Sequence, residues 1–312
     1  GPLGGRRVRR SPVSRKRMAA MAAAPGANEV ADTSGSLPPL ARSTIVLARG
    51  CAPAGQDCQA EDADAPRDAL VLVHLENPGS GEFSQGKRQC HLWEFVWGTS
   101  LLTASVLATL DLTGLNVLEI GGGSGLCSLA CAARANAAHV TMTDTVEDAL
   151  KICEHSAQAN GIEVPGRMSF AKLDWDKEEQ IPEGTMDVVL GSDVLFFRGA
   201  AAPVARAFYR ALRPGGIGIL TDPFRLATED FESKLDDLGV RVTTVVFTPE
   251  MLKEAQNLAQ KAFVDVKRVK LLYFQKPVAD GSPPRSSGLD KLQQVLEGGL
   301  PRFLRAATID DY

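Results

Sequence analysis

Between Asn116 and Gln275 the chain alternates short apolar runs with longer segments whose apolar residues recur every three or four positions. The short runs have the length and the Val, Ile and Leu content of buried strands, and the longer segments have the helical period. Strands are predicted near 116–120, 138–143, 167–172, 186–192, 216–221, 240–247 and 267–275, with helices near 124–135, 146–159, 200–212, 228–238 and 249–263. Thr248 followed by Pro249 is a start signal for the last of these helices. Such regular alternation predicts an α/β fold: a doubly wound, mostly parallel seven-stranded sheet covered on both faces.

Upstream, Ala69 to Leu75 reads as a strand, Asn77-Pro78-Gly79-Ser80-Gly81 as a turn and Gln89 to Phe95 as a second extended run. Residues 69–95 are therefore expected to form an N-terminal β-hairpin. Trp97 to Leu110 reads as an amphipathic helix, with positions 97, 101, 102 and 106 along its apolar side. The chain thus divides into a leader (1–68), the hairpin (69–95), the α/β domain (96–276) and a linker and tail (277–312). The tail carries a short helical pattern at Leu289 to Leu296.

The leader is rich in Ala, Gly, Pro, Ser and Arg, with one apolar stretch at Thr44 to Ala48, and is expected to be disordered. Residues 6–17 hold seven Lys or Arg, and no acidic residue precedes Glu29. That pattern fits a nuclear-import tract, an organelle transit segment or a solvated arm that binds a larger assembly. Cytoplasmic or nuclear residence and a mitochondrial or other organelle destination therefore both stay open. Gly1-Pro2-Leu3-Gly4 resembles the remnant of a cleaved tag. A net charge of −4 over 312 residues argues against a dedicated nucleic-acid binder, and no apolar run is long enough to span a membrane. Six cysteines lack Cys-x-x-Cys spacing and the four histidines form no cluster, so no metal site is expected.

Chemistry concentrates where the first strand of the alternation meets its helix. Val117-Leu118-Glu119-Ile120 leads into Gly121-Gly122-Gly123-Ser124-Gly125, a turn too tight for side chains, and the helix follows at once. Asp144 lies 19 residues beyond Gly125, where the second strand ends and a carboxylate can bind a ribose diol. Dinucleotide sites and plain structural turns share this spacing. Glu119, two residues before the first glycine, would repel a pyrophosphate and suits a cationic nucleoside such as S-adenosylmethionine.

The order of a Trp-bearing helix after Phe95-Val96-Trp97, then Glu119 and Gly121, Gly123 and Gly125, Asp144, Leu173-Asp174-Trp175 and Asp187 to Phe196 resembles the seven-β-strand, class I methyltransferases. It is most similar to their protein-lysine-methylating branch, across roughly residues 69–276. Leu212 to Gly216 is typical of class I members generally, and Leu220 to Arg225 resembles the branch that modifies a mitochondrial flavoprotein. The resemblance implies an enzyme that uses S-adenosylmethionine to N-methylate lysine on a protein substrate. It assigns Glu119 and the three glycines to the methionine end of the cofactor, with Trp97 beside it, and Asp144 to the ribose. Asp174 and Trp175 fall to the adenine. Asp193 and Phe196 become the catalytic pair that faces and lines the lysine channel. Phe196 stands where tyrosine is also common, so no hydroxyl is available there, and the Asn-Pro-Pro-Tyr motif of adenine and glutamine methyltransferases is replaced by Ser192-Asp193-Val194-Leu195.

Each residue also has a plain structural role open to it. The tryptophans suit a core, Asp193 can cap a turn and Asp174 can face water. Two other functions compete: a small-molecule N-methyltransferase, and a non-catalytic methyltransferase-fold subunit of a larger assembly.

Overall fold

The computed structural model describes residues 40–46, 69–75, 92–247, 263–264, 268–278, 287–299 and 304–306, with Pro249 and Leu252 singly. In chain order the strands are β1 (Leu40–Val46), β2 (Ala69–Leu75), β3 (Val96–Trp97), β4 (Asn116–Glu119), β5 (His139–Asp144), β6 (Met168–Lys172), β7 (Met186–Ser192), β8 (Leu212–Asp222), β9 (Val242–Phe247), β10 (Phe263–Val264), β11 (Lys270–Gln275) and β12 (Leu304–Ala306). The helices are α1 (Gly98–Leu107), α2 (Leu126–Ala133), α3 (Glu147–Ala159), α4 (Ala201–Ala211), α5 (Leu226–Asp236) and α6 (Ser287–Gly299).

The main sheet runs β12-β9-β11-β8-β7-β4-β5-β6. β6, β5, β4, β7 and β8 pair in parallel, and β11 enters antiparallel between β8 and β9. These seven strands are the expected ones, and the short β12 from the tail adds an eighth at the β9 edge. Their near-continuous apolar sequence has a direct cause, because both faces are covered. On β4, Val117 joins a core layer with α1, α2 and α6, while Leu118 joins the opposite layer with α4 and α5. Val188 and Val189 on β7 split the same way, as do Leu271 and Leu272 on β11. In the second layer Phe208 of α4, Phe231 of α5 and Phe274 of β11 meet at ring-centroid distances of 5.7 to 6.0 Å.

Three expectations are corrected. A hairpin does precede the core, but β2 pairs with Leu40–Val46 inside the expected leader, in the register Leu40↔Leu75 to Val46↔Ala69. The other expected arm is not a strand where it is described. Leu92–Glu94 forms one 3-10 turn, closed by Phe95 N–H on the Leu92 carbonyl and by the Trp97 indole N–H on the same oxygen. The outer edge of β2 is satisfied by side chains of α3: Val73 N–H donates to Ser156 Oγ at 2.9 Å and Val71 N–H to Asn160 Oδ1 at 2.8 Å.

The helix expected from Trp97 is not amphipathic. α1 is buried nearly all round, since it lies between the sheet and α2, and Trp97 precedes it in β3. Thr103 and Ser105 turn inward and bond their own helix, with Thr103 Oγ1 on the Thr99 carbonyl at 2.7 Å and Ser105 Oγ on the Leu101 carbonyl at 2.9 Å. The helix expected at 249–263 lies largely outside the described residues. Among the described residues, no helix is long and apolar enough to cross a membrane.

Candidate active site

The glycine loop follows β4 at the carboxyl end of the parallel strands, where open α/β sheets bind ligands. Gly121, Gly123 and Gly125 all take positive φ, at 62°, 52° and 73°. Two of them are also required by close neighbours. A Cβ on Gly125 would lie 1.9 Å from Cys153 Sγ of α3, and one on Gly121 would lie 3.0 Å from Val194 and 3.1 Å from the ring of Trp175. At Gly123 the nearest atoms to such a Cβ are backbone atoms of Trp93, 3.8 Å away, so this part of the loop keeps open space. The loop is stitched to β5 by Gly122 N–H on the Thr143 carbonyl and by Gly123 N–H on Asp144 Oδ2, both at 2.9 Å.

Asp144 spends its other oxygen on Val146 N–H at 3.0 Å, at the start of α3. Burial pushes its carboxyl above the ordinary range and these backbone bonds pull it back. Glu119 is 1% exposed. Its Oε2 accepts Ser128 N–H at 3.0 Å and the Ser128 hydroxyl, which ties the end of β4 to the first turn of α2. Desolvation pushes the Glu119 carboxyl up to about 7.

Trp175 stands over Gly121, and its ring lies 6.5 Å from that of Phe196, which in turn lies 5.1 Å from Phe197. Phe196 and Phe197 are both more than two-fifths exposed, so this aromatic group opens to the surface. Asp174 organises the turn beneath Trp175, accepting Asp176 N–H at 3.1 Å, with Lys177 Nζ 3.9 Å away. Trp97 is anchored by its indole N–H on the Leu92 carbonyl at 2.9 Å. That bond holds the 92–95 turn, and the turn brings Trp93 against the glycine loop. Trp93 escaped the sequence reading because its turn resembled a strand.

Asp193 follows β7 directly and is 9% exposed. Its φ of 63° is a left-handed conformation that Asp tolerates better than most residues, and its N–H donates to the Thr221 carbonyl at 2.9 Å. Oδ2 accepts the Thr99 hydroxyl of α1 at 3.0 Å, and Oδ1 pairs with Arg225 Nη1. Arg225 Nη1 also reaches Asp222 Oδ2 at 3.0 Å, while Asp222 Oδ1 accepts Arg225 N–H at 2.6 Å and the Thr228 hydroxyl at 2.7 Å. Burial raises the Asp193 carboxyl above its ordinary range, and Arg225 and Thr99 oppose that shift. Behind it, the hydroxyls of Thr103, Ser192 and Thr221 close a buried triangle with edges of 2.6 to 3.2 Å.

Glu119, the glycines, Asp144, Trp175, Asp193 and Phe196 therefore converge at one end of the sheet, and Trp97 acts on this region through the 92–95 turn. Thr99, Asp222 and Arg225 carried no role in the sequence reading. The Asp-Pro-x-Arg spacing of 222–225 at a strand end was a usable signal, because an Asp side chain that accepts the N–H three residues on closes a turn of the kind that leads into a helix.

A sheet of this strand order, with a glycine loop after the central strand and an acidic residue ending the next, defines the class I methyltransferase fold. A family model described as lysine methyltransferase matches residues 85–216. Protein N-lysine methyltransferase METTL21A of Danio rerio is 29% identical over 149 residues, covering 42% of this chain and 66% of that protein. EEF1A lysine methyltransferase 3 of Mus musculus is 28% identical over 103 residues, covering 32% and 43%. The chain spans just under two thirds of the first relative's length and less than half of the second's. Among solved structures, a methyltransferase from Pyrococcus furiosus superposes with a TM-score of 0.45 at 18% identity, over 58% of this chain and 84% of that one. By its own strand order the chain is a doubly wound, mostly parallel α/β protein with a glycine loop after its central strand. Its sequence resembles the lysine methyltransferases.

Proposed function

We propose that the protein is an S-adenosylmethionine-dependent protein methyltransferase that N-methylates a lysine side chain. One observation carries the reading. The space a side chain would need at Gly121 is taken by both Trp175 and Val194, so the nucleotide loop and the segment from Asp193 to Phe196 share one wall. A cofactor seated on the loop would have Asp193 beside its reactive end. The positive-φ glycines, the space at Gly123 and the carboxylate of Asp144 suit a nucleoside without phosphates. In this reading Glu119 and the loop hold the methionine end, the 92–97 segment with Trp97 borders it, Asp144 takes the ribose, and Asp174 and Trp175 flank the adenine.

When bound, S-adenosylmethionine supplies a methyl group on a sulfonium, a leaving group good enough to need little acid–base help. The protein's task is then to deliver a lysine Nζ in line and neutral. Deprotonating a free lysine at pH 7 costs about 4–5 kcal/mol. Phe196 and Trp175 exclude water and so destabilise the ammonium, while Asp193 accepts a hydrogen bond from the amine and fixes its direction. The proton passes to water.

Calorimetric titration with S-adenosylmethionine and labelling of a fractionated lysate with radioactive cofactor test the reading together. Binding with a labelled protein band supports it. Label only in small molecules moves the assignment to a small-molecule N-methyltransferase, and absence of binding at millimolar cofactor leaves a non-catalytic subunit.

A further inference from the structure

Arg225 is fastened at both ends of its side chain and commits its charge to the candidate lysine site. Asp222, which has no exposed side-chain surface, takes its backbone N–H and its guanidinium, and Thr228 holds the other side of Asp222. From that anchor the same guanidinium nitrogen reaches Asp193. The charged groups that bear on Asp193 are Arg225 and Asp222, while α1 contributes only the neutral hydroxyl of Thr99. Two buried carboxylates thus share one fixed cation.

The consequence concerns which form of lysine the site prefers. A bare, buried Asp193 would hold the ammonium tightly and oppose its deprotonation. An Asp193 whose charge is already met by a fixed guanidinium still offers an oriented oxygen, but gains less from a cation. We propose that Arg225 is a positioning residue for methyl transfer: it holds the Asp193 carboxylate in place and meets its charge, so that the site favours the neutral amine over the ammonium. This rests on the lysine-methylating reading above. Both carboxylates are met by one guanidinium nitrogen, Nη1, at the end of a side chain one bond longer than that of lysine.

The test uses the full chain, labelled S-adenosylmethionine and, as acceptor, the lysate fraction that takes label from the unmutated protein. Relative initial rates from about pH 6 to 9 are sufficient. Arg225→Gln should lower the rate at neutral pH roughly tenfold and move the acid limb of the profile up by about one unit. The direction is the same whether the exposed Asp193 charge grips the ammonium or Asp193 and Asp222 share a proton that must first leave. Should Arg225→Gln fail to fold, Arg225→Lys decides the question. It keeps a charge on a side chain one bond too short to reach the position of Nη1, and the limb should rise by about half as much. An acid limb left at its original pH in the folded variant overturns the inference, whatever the rate, and reduces Arg225 to a structural tether of Asp222. Cofactor titration of the unmutated chain separates the two levels. No binding, or binding without any labelled fraction, ends the methyltransferase reading and this inference with it. Binding and labelling with an unmoved limb ends the role of Arg225 alone.

Discussion

The carboxyl of Glu119 receives both the backbone N–H and the hydroxyl of Ser128, so the last residue of β4 caps the helix that begins beyond the glycine loop. Strand, loop and helix are closed into one unit by a group that is itself out of water. Removal from water raises the Glu119 carboxyl to about 7, against the two Ser128 hydrogen bonds, which lower it.

A pH dependence follows. The folded value lies above the ordinary 4.5, so the contribution to stability is fully present below about pH 4.5 and is lost as pH rises through about 7. Its size is on the order of 3 kcal/mol. Glu119→Gln keeps an acceptor for Ser128 N–H without the titration. Urea unfolding at about pH 5.5 and pH 8 should show a loss for the unmutated chain that the variant does not share; equal slopes would contradict the assignment.

Gly125 is fixed by two independent demands, its φ of 73° and the Cys153 sulfur in the space a side chain would need. Gly125→Ala should cost about 2–4 kcal/mol, combining left-handed strain with overpacking. Adding Cys153→Gly, which removes both the sulfur and the Cβ that lies 2.9 Å from the new methyl, should recover the packing part and leave about 1–2 kcal/mol of strain at Gly125. Full recovery in the double variant would show that the backbone conformation carries no penalty.

At Asp193, chemistry and backbone can be separated. Asp193→Ala should lower turnover by a factor on the order of 10² to 10⁴ with little change in cofactor affinity, because the orientation of the amine is lost. Asp193→Asn keeps a residue suited to φ 63° and should fold with nearly unchanged stability, so any activity it loses reports the charge. Full activity in Asp193→Ala would remove this residue from the lysine channel.

Deleting residues 1–68 removes β1 and strips β2 of its strand partner. A loss of about 2 kcal/mol in unfolding free energy is expected, with cofactor affinity nearly unchanged, since β2 packs on α3 rather than on the open side of the glycine loop. An unchanged unfolding midpoint would mean that the pairing of Leu40–Val46 adds nothing.

The alternation of strands and helices from Asn116 to Phe247 was legible in the sequence because each run obeys a local rule. A strand buried on both faces must be continuously apolar, and only glycine tolerates the positions of Gly121 and Gly125 without strain. The partner of β2 was not legible. Strand pairing is decided across space, and the turn signals at 77–81 favoured a downstream arm, whereas Leu40–Val46 supplied the pairing. The near-complete burial of α1 escaped for the same reason, since Thr103 and Ser105 fall outside the apolar side at 97, 101, 102 and 106 and instead bond within the core. The site divides along the same line. Glu119, Asp144, Trp175 and Asp193 stand in recognisable motifs. The cation that meets the charge of Asp193 comes from another strand end, 32 residues further along the chain, and only the packing of β7 against β8 brings Arg225 to it.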